Sequence, residues 1–259
     1  MTNMTAALNL SGVNFSYQKD IPALKNITLD IAQGERVGVI GPNGAGKTTL
    51  FLMICGILKP EAGRIMLLGK PVKSGLFNPM TAMVFQKSDD QLFCPTVWDD
   101  VAFGPENMEL GSEEIDKRTR QSLAAVGAIE LAHRQIHQLS QGEKRIVSIA
   151  GALAMHPKLI IYDEPSASLD IRSRRRLISI LKESAQTIII ASHDLELILE
   201  VCTRVIILDN GMVAADGDPM GIMGNEQLML AHGQEKPHSL TPHLVNHKHK
   251  TLAELESGR

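Results

Sequence analysis

Residues 41–48, GPNGAGKT, constrain this chain more than any other stretch of it. Three of the eight are glycine, which lets the backbone turn its N–H groups toward an anion, and the run closes on a cation and a hydroxyl. A β-branched apolar stretch, residues 36–40, leads in. Leu50, Phe51, Ile54 and Leu58 then recur at helical spacing over residues 47–58. Strand, glycine loop and helix in this order make the P-loop pattern, which belongs to α/β cores.

The pattern predicts a bound nucleotide. Gly41, Pro42, Asn43, Gly44, Ala45 and Gly46 would wrap the phosphates of ATP, with Lys47 at the β- and γ-phosphates. Thr48 would give its hydroxyl to Mg²⁺, which prefers hard oxygen donors, and Thr49 follows at the head of the helix. Residues 159–164, LIIYDE, read as an apolar strand ending in two acids. Such a pair is often a helix cap or a turn. Beside a P-loop it assigns Asp163 to Mg²⁺ and Glu164 to the attacking water.

Composition narrows the partners. Hydrophobic residues make up 44% and charged residues 21%, as in an ordinary globular α/β protein. A net charge of -3 and only 3% aromatic residues argue against a general grip on nucleic acid, so none is expected. Cys55, Cys94 and Cys202 are far apart and show neither disulfide-framework nor zinc spacing. No apolar run approaches the ~18 residues of a membrane span, and residues 1–10 lack a basic start before an apolar stretch. The chain is expected to be cytosolic, without direct membrane insertion, and to serve any membrane process by docking on other subunits.

Along the chain, residues 8–17 and 27–31 read as short antiparallel strands, and residues 113–131 as one or two amphipathic helices. Residues 159–162, 187–191 and 205–208 suit buried parallel strands separated by helices. The expected fold is α/β: a P-loop core with a mostly parallel sheet, an N-terminal antiparallel β-subdomain, and a helical subdomain inserted at about residues 88–157. One domain would cover residues 1–217. Residues 218–259, rich in Gly, Pro, Gln and His, read as a partly flexible tail.

Residues 139–143, LSQGE, open an amphipathic helix on which Ile146, Ile149, Ala150 and Leu153 share one face, and the amides at such a helix start make a second anion site. With these parts in order, residues 10–217 resemble the ATP-binding cassette family. The resemblance implies that Tyr17 stacks on adenine and that Gln86, the Q-loop glutamine, meets Mg²⁺ and the reacting phosphate. It makes residues 139–143 the signature, residues 168–170 with Asp170 the D-loop, and His193 the switch histidine. Taken alone, His193 could equally cap the helix that follows it. The family sets the signature of one subunit, here Ser140 and Gly142, against the ATP held by another. A homodimer is therefore expected to hold two complete sites.

Residues 86–107, QKSDDQLFCPTVWDDVAFGPEN, further resemble the ATPase of energy-coupling-factor importers, where this surface meets the membrane subunits. The alternative is a merely solvated acidic face. That resemblance implies a peripheral location on the cytoplasmic face of the cell membrane. Such importers carry vitamins or transition metals. Five histidines, His232, His238, His243, His247 and His249, read first as a solvated tail, with metal buffering or sensing as the alternative; on that alternative His247 and His249 are close enough to share one ion, and the cargo tilts toward nickel or cobalt. Gln141 and Glu143 stand where the family's usual signature has glycine and glutamine, which bears on hydrolysis rate and dimer closure. Rival readings are a P-loop kinase, which the signature and its helix oppose, and a cassette ATPase acting on ribosomes or DNA. The latter typically has two cassettes per chain or a long coiled-coil insertion, and neither occurs here.

Overall fold

The computed structural model describes residues 6–19 and 21–241. Strands β1 (Ala6–Gln18) and β2 (Ile21–Ala32) pair antiparallel, with Leu8 opposite Ile31 and Leu10 opposite Leu29. All four are buried, so the two-residue alternation that sets the register also sets the buried face. β3 (Arg36–Ile40) enters the glycine loop, and α1 (Lys47–Ile54) leaves it. β4 (Ala62–Leu67) and β5 (Lys70–Pro71) complete a four-stranded antiparallel sheet in the order β2-β1-β4-β5.

The second sheet begins with β6 (Thr81–Val84). α2 (Val97–Asn107), α3 (Ser112–Ala125) and α4 (Gln141–Ala154) come next, before the sheet resumes at β7 (Leu159–Asp163). α5 (Ile171–Glu183), β8 (Thr187–Ala191), α6 (Leu195–Val201), β9 (Arg204–Asp209) and β10 (Met212–Gly217) follow. The strand order is β10-β9-β3-β8-β7-β6, with only β10 antiparallel among the described strands. The mostly parallel sheet, the antiparallel subdomain and the inserted helices are those expected from the sequence.

The central strands are apolar throughout because both faces are covered. Ile161, Ile189 and Leu208 face α1 and the antiparallel sheet, whereas Ile160, Ile190 and Ile207 face the helices on the other side. Two cores thus share one sheet.

Several boundaries differ from those read in the sequence. The helix expected to reach Leu58 stops at Ile54, where the chain turns through Gly56 at φ 75°. α2 carries the acidic run as structure: Thr96 caps it by accepting from Asp99 N at 3.2 Å, and Asp100 Oδ1 accepts from both Phe93 N and Cys94 N at 3.0 Å. The segment read as a loose tail is folded through Thr241. α7 (Pro219–Gly224) and α8 (Glu226–Ala231) bury Met223 and Met229 in the helical core, and Asp218 and Asn225 cap them. His232 Nδ1 lies 2.9 Å from Asp209 Oδ2. His238 sits in a short 3₁₀ turn, while His243, His247 and His249 lie outside the described residues.

Candidate functional site

After Ile40 the chain turns through Gly41 at φ 147°. A Cβ there would fall 1.9 Å from Leu208 O, and one on Gly46, at φ 104°, 2.8 Å from Ala23 O. Only glycine meets both the left-handed backbone and the close approach. Gly46 is the N-cap of α1. No side chain caps the helix there, and no acid occupies its first turn. Its leading amides are therefore available to an anion.

Lys47 Nζ donates to Gly41 O at 2.7 Å and to Pro42 O at 3.0 Å. Burial lowers its pKa, against the opposing pull of Glu164 and Asp163. Thr48 Oγ1 donates to Asp163 Oδ2 at the end of β7. Burial raises the pKa of Asp163, and the Thr48 bond and Lys47 offset part of that.

Glu164 follows at φ 48°, a conformation uncommon for a residue with a Cβ, and its N–H donates to Ala191 O at 2.9 Å. One carboxylate oxygen accepts from His193 N at 3.0 Å; the other, Oε1, is buried with no hydrogen-bond partner among the described residues. Burial raises the pKa of this group, while the His193 contacts and Lys47 pull it down. A desolvated acid with one free oxygen is built to accept a hydrogen bond or a proton. His193 Nε2 lies 3.1 Å from Asn43 Oδ1 and 3.6 Å from Glu164 Oε1, joining the end of β8 to the glycine loop.

These groups converge on one cleft of about 600 Å³, lined by residues 43–49 with Tyr17, Gln86, Asp163, Glu164 and His193. Gly41 and Pro42 stand behind the lining and hold Lys47. Tyr17 is 61% exposed, its hydroxyl 3.2 Å from Thr49 Oγ1 and its ring edge-on to Phe15, so a flat face is open at the rim.

Ser140, Gly142 and Asp170 do not line this cleft. Ser140 caps α4 in a reciprocal box: its Oγ accepts from Glu143 N at 3.3 Å, and Glu143 Oε2 accepts from Ser140 N at 2.8 Å. Asp170 caps α5 by accepting from Ser173 N at 2.7 Å. A Cβ on Gly142 would come within 2.5 Å of Ser173 Oγ, so the starts of α4 and α5 lie together. One chain therefore carries two separate groups of expected site residues.

Some contacts escaped the sequence reading. Arg174 makes a two-pronged ion pair to Asp194 at 2.6 and 2.9 Å, fixing the residue after His193 to α5. Arg145, buried on α4, reaches the backbone at Gln86. An arginine four residues before Ile149, on an otherwise apolar helical face, was the available signal.

Fold and cleft together define a P-loop ATPase. The ABC transporter family model matches residues 24–167, more than half of the 259. The energy-coupling factor transporter ATP-binding protein EcfA of Methanothermobacter thermautotrophicus is 44% identical over 86% of this chain and 74% of its own length. Among solved structures, cbiO1 from Clostridium perfringens, part of the ABC transporter complex cbiONQ, superposes with a TM-score of 0.78. It shares 36% identity over 88% of this chain and 94% of its own. The ATP-binding cassette MJ0796, a dimer in a post-hydrolysis state with ADP and Pi, gives a TM-score of 0.71 and 27% identity over 82% and 98%. The chain belongs to the ABC transporter family, as an ATP-binding, ATP-hydrolysing subunit. No helix among the described residues is long and apolar enough to cross a membrane.

Proposed function

We propose that this chain is the ATPase of an energy-coupling-factor importer, acting as a homodimer on the cytoplasmic face of the cell membrane to power uptake of cobalt or nickel ions. The observation that carries the mechanism is the separation of Ser140 and Gly142 from the cleft that holds Lys47, Glu164 and His193. Two copies facing each other would bring each signature onto the other's cleft, giving two equal sites.

Within each site the chain's own groups divide the work. The amides at the start of α1 and the Lys47 ammonium would take the charge of the β- and γ-phosphates. Thr48 and Asp163 suit Mg²⁺, since a hydroxyl and a carboxylate already within hydrogen-bond reach are hard oxygen donors. Gln86, from across the cleft, is the further candidate ligand. Mg²⁺ bound there would neutralise charge between the two outer phosphates. Glu164 Oε1, buried and unpartnered, would orient water for in-line attack, and His193 would steady the γ-phosphate from the side of Asn43. Tyr17 would offer its ring to the base.

This chain offers a surface that suits such a membrane partner. Three of the six phenylalanines, Phe77, Phe93 and Phe103, line an apolar groove of about 390 Å³ with Asp100 and Met155. Phe93 is 67% exposed. Much of the groove falls within residues 86–107, and it suits an amphipathic helix that brings a basic residue to Asp100. The likeness to cbiO1, part of the ABC transporter complex cbiONQ, supports a transporter complex of this kind, whereas of the histidines that point to cobalt or nickel His232 is already held by Asp209.

Pulldown from solubilised membranes is the test. Recovery of multi-span subunits, with cobalt or nickel uptake lost in cells carrying Glu164→Gln, is expected. Recovery of ribosomes or DNA would overturn the reading.

A further inference from the structure

Arg145 is only 3% exposed, and its guanidinium forms no ion pair among the described residues. Nη1 donates to Phe85 O at 2.5 Å, Nη2 donates to Gln86 O, and Nε is buried without a hydrogen-bond partner among the described residues. A buried cation satisfied only by two carbonyls is a costly way to hold a fold together; a well-packed apolar side chain would be cheaper. What the guanidinium provides is geometry. Its planar fork grips two successive peptide units, one of them that of Gln86.

Other ties run between the same two segments. Gln91 Oε1 accepts from Phe85 N at 3.1 Å, while its amide donates to Ser148 O on α4 at 3.0 Å. Asp89 accepts from Lys144 Nζ at 2.6 Å and from Gln141 Nε2 at 3.4 Å. Residues 85–91 are thus fastened to α4 over its first two turns. α4 is also the helix whose start carries Ser140 and Gly142.

We propose that Arg145 is a positioning residue that makes Gln86 travel with the signature helix rather than with the parallel sheet, so that Gln86 reaches its own cleft in step with Ser140 and Gly142 reaching the partner's. This rests on the proposed roles of Gln86 and the signature in hydrolysis. Gln91 lines the apolar groove, so the same fastening connects that surface to the cleft.

The test is a double-mutant cycle on the purified full chain, reading kcat and KM for ATP together with the melting temperature. Arg145→Lys keeps the cation but loses the planar fork. It should lower kcat by roughly 10- to 100-fold, as a misplacement of about 1 Å does, with KM changed by less than about threefold. In a Gln86→Ala background the same substitution should leave kcat within about twofold of Gln86→Ala alone, because Arg145 then has nothing left to position. Equal losses in both backgrounds, or no loss in the wild-type background, would overturn the tie. If Gln86→Ala alone turns over like wild type, the role of Gln86 fails and the proposal with it. A slow Gln86→Ala beside a fast Arg145→Lys would remove only the tie. Should Arg145→Lys not fold, Gln91→Met, at a partly exposed position, must give the same non-additive pattern, and additivity would again overturn the proposal.

Discussion

Thr48 and Asp163 stand 115 positions apart in sequence, and the threonine hydroxyl donates a 2.8 Å hydrogen bond to the aspartate carboxylate. The head of α1 and the end of β7 are therefore one chemical unit. Both are hard oxygen donors, and β3 and β8, which stand side by side in the sheet with β7 next to β8, bring the two together.

Asp163→Asn keeps the shape of that unit and removes its charge. ATPase activity at saturating Mg²⁺ should fall by roughly 10²-fold or more, and the Mg²⁺ concentration for half-maximal rate should rise. Unchanged Mg²⁺ dependence in steady-state assays would take Asp163 out of the cation site.

Glu164→Gln leaves an amide where the unpartnered carboxylate oxygen stands. Turnover should slow by roughly 10²- to 10⁴-fold, and an ATP-bound dimer should accumulate on size-exclusion chromatography. Near-normal hydrolysis would assign the attacking water to another group.

Mixing two inactive variants tests whether the sites are shared. Lys47→Ala spoils a chain's cleft and Ser140→Arg its signature. A mixed dimer of the two keeps one intact pairing. Half the dimers in an equimolar mixture are mixed, so activity should recover to about one quarter of wild type. No recovery, with dimers present, would mean that each chain hydrolyses ATP alone.

Glu143 gives a pH signature. The Ser140 N–H, aided by Arg134, holds its carboxylate below the ordinary value of 4.5 despite partial burial. A depressed carboxylate stabilises the fold above its unfolded value and loses that contribution as pH falls through the folded one. The melting temperature of wild type should exceed that of Glu143→Gln near neutrality. The gap should narrow as pH falls below about 4.5 and the carboxylate takes up its proton in both states. A gap independent of pH would show that glutamine fails for reasons of shape.

Met229 is fully buried beneath α8. Met229→Ala should cost about 2–4 kcal/mol and lower the melting temperature by several degrees in calorimetry. A change near zero would return this segment to the loose tail its composition implies.

The legible parts of this fold were those whose physics is local. The glycine loop needs contiguous residues, so residues 41–48 announced themselves, and strands buried on both faces read as β-branched runs at residues 36–40 and 187–191. α2 is hidden in the sequence because its N-cap, Thr96, and Asp100, which accepts from two amides of the loop ahead of it, read in isolation as loop or acidic-face residues. α7 and α8 are six residues each, too short to be stable by propensity, and depend on burying Met223 and Met229. Arg145 shows in the sequence only as a charge on an apolar helical face, since the backbone carbonyls it binds leave no mark there.

The position of β3 between β8 and β9 bears on how the protein is made. Residues 36–48 leave the ribosome early, but the strands that flank β3, and Leu208, against which Gly41 is closed, are encoded about 150 residues later. At typical synthesis rates that is a wait of roughly 10–30 s. Throughout it, the hydrophobic strand ahead of the glycine loop has no neighbour in its sheet. The strand that leads into the glycine loop is therefore open, while the chain is being made, to pairing with other chains.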